Sequence, residues 1–100
     1  MRWLLINPIK ASGWGGMEGW MLRLARELVR RGDECVLAGR AESPWPSRCA
    51  EAEITFERLQ FGGDLAPWTW LSLARIVRRH RPDVIIAKGF RQARWARLTS

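Results

Sequence analysis

A chain of 100 residues holds one domain at most and buries only about two-thirds of its unfolded surface, so any core is thin. With 47% hydrophobic and 27% charged residues the composition is globular and not disordered; no apolar run nears the ~20 residues of a membrane span. The formal net charge of +7 is carried almost wholly by arginine, which favours anionic partners such as nucleotide diphosphates, anionic lipid or nucleic acid, although a solvated arginine-rich surface accounts for it equally.

The chain opens with a short apolar strand, Trp3 to Ile6, broken at Asn7 and Pro8 too soon for a signal peptide, and the expected location is cytoplasmic. The loop Ser12, Gly13, Trp14, Gly15, Gly16 then leads into an amphipathic helix. Strand, glycine turn and helix in that order form either a tight turn or an anion site. At a helix start the unpaired N–H groups meet the positive end of the dipole, and glycine lets an anion approach. Met17, Trp20, Met21, Leu24, Ala25, Leu28 and Val29 give the helix a buried stripe. Gly32 stops it, and Cys35 to Ala38 follow as a wholly apolar strand of the kind found in parallel sheets.

From Gly39 to Glu51 the prolines 44 and 46 predict a surface loop with at most one helical turn near Ala50, which leaves Cys49 in a loop. Ile54 to Phe56 reads as a third strand. Gly62 and Gly63 turn the chain, Asp64 caps a helix from about Leu65 to His80, and Trp70, Leu71, Ala74 and Val77 form its buried stripe. His80 reads as a residue capping the helix end. Val84 to Ala87 is the most hydrophobic strand, and Lys88 to Ser100 is helix-prone, with Arg91, Arg94 and Arg97 on one side. Alternating strands and helices predict an α/β fold: a Rossmann-like parallel sheet of about four strands, order 3-2-1-4, with flanking helices. Its ligand crevice lies beyond the strand C-terminal ends between strands 1 and 4, where the glycine loop and Lys88 meet.

The run Gly15, Gly16, Met17, Glu18, with Leu22, Leu24, Ala25 and Leu28, then Arg31 to Val36, and later Arg81 to Ile85, resembles the N-terminal domain of GT-B glycosyltransferases of group 1, subfamily 4-like. Asp33 stands where that family usually has histidine, and Lys88 where it often has histidine. The resemblance implies transfer of a sugar from a nucleotide-sugar donor to a glycan, lipid-linked or small-molecule acceptor, including lipopolysaccharide and cell-envelope glycans. It implies that Gly15 and Gly16 bind the donor diphosphate. Trp14, Glu18, Lys88 and Arg91 would line the crevice or touch acceptor. The family domain is longer and is followed by a second, donor-binding Rossmann-like domain with paired glutamates. Residues 1–100 are therefore expected to be an incomplete N-terminal half, inactive alone.

No catalytic base or nucleophile emerges. Cys35, Cys49 and the single histidine, His80, form no metal-ligand cluster, and no metal or other cofactor is expected. Glu18 has a second reading, that its charge merely favours the helix start, and Arg91, Arg94 and Arg97 have a second reading as a solvated face. Two rival functions remain open. One is an NADP-binding Rossmann domain, in which Gly13 and Gly15 begin a GxGxxG whose third position is Glu18 and Arg40 ends strand 2. The other is a basic module whose seven tryptophans and arginines bind anionic membrane, at the inner face, or nucleic acid.

Overall fold

The structure, a computed structural model, describes residues 1–9, 14–59 and 67–87. In chain order these form β1 (Arg2–Asn7), α1 (Gly16–Arg30), β2 (Glu34–Gly39), α2 (Trp45–Ala52), β3 (Thr55–Arg58), α3 (Pro67–His80) and β4 (Val84–Ala87). The strands make one parallel sheet in the expected order β3-β2-β1-β4. Asp64, Leu65 and the segment from Lys88 to Ser100 lie outside the described residues.

Side-chain alternation explains why β1 and β2 are apolar throughout. Leu5, Cys35 and Leu37 point to one face, against Met21, Ala25 and Leu28 of α1 and Trp45 and Cys49 of α2. Leu4, Ile6, Val36 and Ala38 point to the other, against Leu73 and Ile76 of α3. Each leucine, isoleucine, valine or methionine among them, taken fully from water, contributes about 1.5–3 kcal/mol, so the two central strands anchor the molecule. Asp83 ties the sheet's starting edge: its backbone N–H donates to Arg2 O and its Oδ2 accepts from Arg2 N, both at 2.8 Å.

The helix stripes differ from the predicted ones. On α1 the buried residues are Glu18, Met21, Ala25 and Leu28, whereas Met17, Val29 and Trp20, the last 45% exposed, flank the contact. A helix on a sheet hides a stripe little wider than 100°, and the predicted set spanned more. On α3, Thr69, Leu73 and Ile76 are buried while Leu71 is 65% exposed, so the contact face is rotated from the one expected. Gly32, at φ +93°, ends α1 as expected, with Asp33 N donating to Leu28 O.

Where a loop with one helical turn was expected from Gly39 to Glu51, Trp45–Ala52 forms a helix. Pro44 stands at the N-cap and Pro46 in the first turn, where a missing N–H costs nothing, and the Trp45 N–H donates to Ser43 Oγ. Cys49 is consequently buried on α2. Burial pushes the Cys35 thiol up to about 11 and the Cys49 thiol up to about 12, so both are neutral near pH 7 and neither is a nucleophile.

His80 ends α3, but its ring bonds across to the sheet: Nε2 lies 2.6 Å from Glu57 Oε2 on β3, which also accepts from Arg79 Nη1 at 2.9 Å. Burial would raise the Glu57 carboxyl, but the hydrogen bonds from His80 and Arg79 outweigh it and hold it below its ordinary value. A depressed carboxyl stabilises the fold above its unfolded pKa and loses that contribution as pH falls through the folded one. Glu57→Gln should therefore lower the urea midpoint at pH 7, and the gap to the unmodified chain should close towards pH 3. A gap that persists at pH 3 would contradict this.

Candidate anion site at the glycine loop

The site is assembled where β1 ends. Asn7, wholly buried, turns its side chain under the loop: Nδ2 donates to Glu18 Oε2 at 2.9 Å and approaches Met21 Sδ at 3.3 Å, while Oδ1 accepts the Ile9 N–H at 3.1 Å. The other Glu18 oxygen, Oε1, accepts the Gly15 N–H at 2.9 Å. Glu18 is only 1% exposed, the third residue of α1, and it reaches back to the N-cap as in half of a capping box. Of the two readings of this residue, the geometry supplies the helix-start role directly; its carboxyl faces Asn7 and Gly15 and is closed off from solvent.

Gly15 is extended, with φ −150° and ψ −159°, and its carbonyl accepts the first helical bond, from Gly19 N at 3.1 Å. By helix geometry the N–H groups that follow, beginning with Gly16 and Met17, have no acceptor inside the helix. Both residues are exposed. Among the described residues a Cβ built on Gly16 meets nothing within 4 Å, and one on Gly15 meets only Glu18 Oε1, at an ordinary 3.5 Å. Packing among the described residues thus sets no demand for glycine at position 16. Gly39 is the opposite case: a Cβ there would come within 2.9 Å of Asn7 O and 3.3 Å of Trp45 Cδ1, so glycine is required for the close approach of β2 to β1.

Among the described residues, further contacts to the loop come from the β2–α2 segment. Arg40 Nε donates to Pro8 O at 2.8 Å. Trp14, half-buried, lies with its ring centroid 4.7 Å from that of Trp45 at 58°, and the Arg48 guanidinium sits 4.8 Å over the Trp14 ring. The Arg40 Nε therefore serves the loop backbone.

The sheet order reverses between β1 and β4, and Ile6 pairs with Ala87 at their C-terminal ends, so the loop stands at the crevice that such sheets use for ligands. Trp14, Gly15, Gly16 and Glu18 are brought together there. Lys88 and Arg91 lie outside the described residues. Away from this edge, Arg23, Arg26, Arg30, Val29 and Ala52 border an open groove of about 470 Å³, in which Glu27 pairs with Arg30.

Sequence reasoning missed Asn7, Trp45 and Arg48. The signal was present for Asn7. A polar residue closing an apolar strand, with glutamate at the third position of the next helix, marks a buried polar pair. Trp45 and Arg48 have no comparable local signature, because their partner is remote in sequence.

Residues 15–100 match the family described as Glycosyl transferase 4-like domain. The crystal structure of a glycosyltransferase from Rickettsia africae ESF-5 superposes with a TM-score of 0.72 over 98% of this chain, at 15% identity. This chain spans 26% of that one, and at this identity the likeness establishes the fold. No curated protein matches the sequence.

Proposed function

Because this chain belongs to the glycosyl transferase 4-like family, we propose that it is the N-terminal part of an enzyme moving a sugar from a nucleotide-sugar donor to a glycan, lipid-linked or small-molecule acceptor. In this reading the donor diphosphate rests against the backbone at Gly15 and Gly16, with the donors supplied from the Gly16 N–H onward because Glu18 holds the Gly15 N–H. The negative charge that grows on the departing nucleotide is stabilised by fixed dipoles at the start of α1. Backbone donors supply that stabilisation without a metal. Trp14 stands at the crevice rim, and the family pattern adds Lys88 and Arg91 towards the acceptor. A second nucleotide-binding unit supplies the rest of the donor contacts, so this chain alone does not turn over. The net charge of +7 favours a phosphorylated or lipid-linked acceptor, as in envelope glycans assembled at the cytoplasmic face of a membrane.

The observation that carries the reading is Gly16. Nothing among the described residues fills the space its side chain would occupy, which leaves the backbone there open to the close approach of a ligand. The test follows directly. Uridine or guanosine diphosphate should quench tryptophan fluorescence saturably, and Gly16→Val should abolish the response while leaving the far-ultraviolet circular dichroism unchanged. Equal quenching in the variant would overturn the site.

A second reading, a module for anionic surfaces, draws support from α1, whose outer face carries Arg23, Arg26 and Arg30 with the exposed Trp20. It requires salt-sensitive binding to anionic vesicles that Gly16→Val leaves intact.

A further inference from the structure

Both flanks of the connection between β1 and α1 are held by one segment, the stretch from the end of β2 through α2. Arg40 binds the carbonyl of Pro8 on the near flank, and Trp45 and Arg48 hold the ring of Trp14 on the far flank. These grips are themselves joined. Ser43 Oγ donates to Arg40 O at 2.7 Å and accepts the Trp45 N–H at 3.2 Å, which fixes Arg40 and the start of α2 as a unit. Trp45 is 0% exposed and belongs to the core cluster with Leu5, Leu37 and Cys49, so the unit is anchored to the sheet. Trp14 is bonded directly to Gly15, which puts the held ring one residue from Gly15 and two from Gly16.

We propose that Arg48 and Trp45 are positioning residues that hold Gly15 and Gly16 in their anion-accepting geometry through Trp14. The proposal rests on the diphosphate reading of the glycine loop given above. A loop backbone set before the ligand arrives needs no reordering on binding, and that is what a rigid support adds to an anion site. Arg48 is the better handle. It is exposed and acts through a cation–π contact, so it can be altered without opening the core.

Arg48→Gln keeps a polar stem and removes the cation, and Arg48→Lys restores a cation. Three quantities are read in the full chain: affinity for uridine diphosphate, hydrogen exchange at the Gly15 and Gly16 amides, and exchange at the Leu5 amide in β1. Arg48→Gln should weaken diphosphate binding roughly two- to fivefold and speed Gly15 exchange by a similar factor. Leu5 exchange should stay unchanged, and Arg48→Lys should recover most of both losses. Unchanged affinity and unchanged Gly15 exchange in Arg48→Gln would overturn the proposal, as would equal acceleration at Leu5, which signals global loosening. If the unmodified chain fails to bind the diphosphate, the ligand reading falls. The exchange at Gly15 still decides whether Arg48 sets the loop.

Discussion

Trp45→Ala is expected to cost about 3–5 kcal/mol, read as a large drop in the urea unfolding midpoint. The side chain is fully buried between α2, the sheet and the glycine loop, and a domain of this size has only about 5–15 kcal/mol in total. The cavity would lie under Trp14, so the loss reaches the candidate site as well as the core. Trp45→Phe separates the two contributions. The Trp45 Nε1 is buried with no hydrogen-bond partner among the described residues, and phenylalanine removes that uncompensated polar atom while keeping most of the ring. The phenylalanine variant should therefore lose much less than the alanine variant. Equal losses would mean that the indole nitrogen has a partner or that the pocket collapses around either residue.

Glu18→Gln is expected to destabilise the chain by about 1–3 kcal/mol although it is nearly isosteric. Glu18 accepts at both oxygens, from Gly15 N and from Asn7 Nδ2. Glutamine has one acceptor oxygen and one amide nitrogen, so in either orientation it turns a donor against a donor in a site closed to water. Glu18→Ala removes the oxygen acceptor of both donors and should be at least as harmful. Asn7→Asp, which would set two carboxyls face to face, should also destabilise, and Asn7→Asp combined with Glu18→Gln should recover part of the loss. A glutamine variant as stable as the unmodified chain would show that the Asn7–Glu18 pair does not hold the loop.

These predictions mark where the sequence was readable. The sheet order was legible because it depends on element sequence and on the right-handed crossover, and both follow from the alternation of apolar runs with helical periods. The Gly32 stop and the strand at Val84 to Ala87 were legible for equally local reasons. Helix α2 was not, since its prolines read as breakers until their positions at the helix start are known. The rotated face of α3 was not, because Leu71 and Leu73 are equally apolar and only the sheet's shape chooses between them.

At the candidate site, the glycine loop and the start of α1 could be found from spacing alone. The polar pair beneath them was half legible. Glu18 stood at capping distance from Gly15, but its second partner, Asn7, is eleven residues away and is reached only when β1 and α1 are packed together. The hold of Trp45 and Arg48 on Trp14 was invisible for the same reason. Their contact depends on α2 lying beside α1 over the sheet, a tertiary fact that no local pattern encodes.

The measurement that bears most directly on the central claim is a nuclear magnetic resonance titration of the isotopically labelled chain with uridine diphosphate, followed at the backbone amides. The account predicts saturable shifts centred on Gly15, Gly16 and Met17, absent in Gly16→Val. Shifts centred on Arg23, Arg26 and Arg30 that vanish with salt, with the glycine amides unmoved, would contradict it.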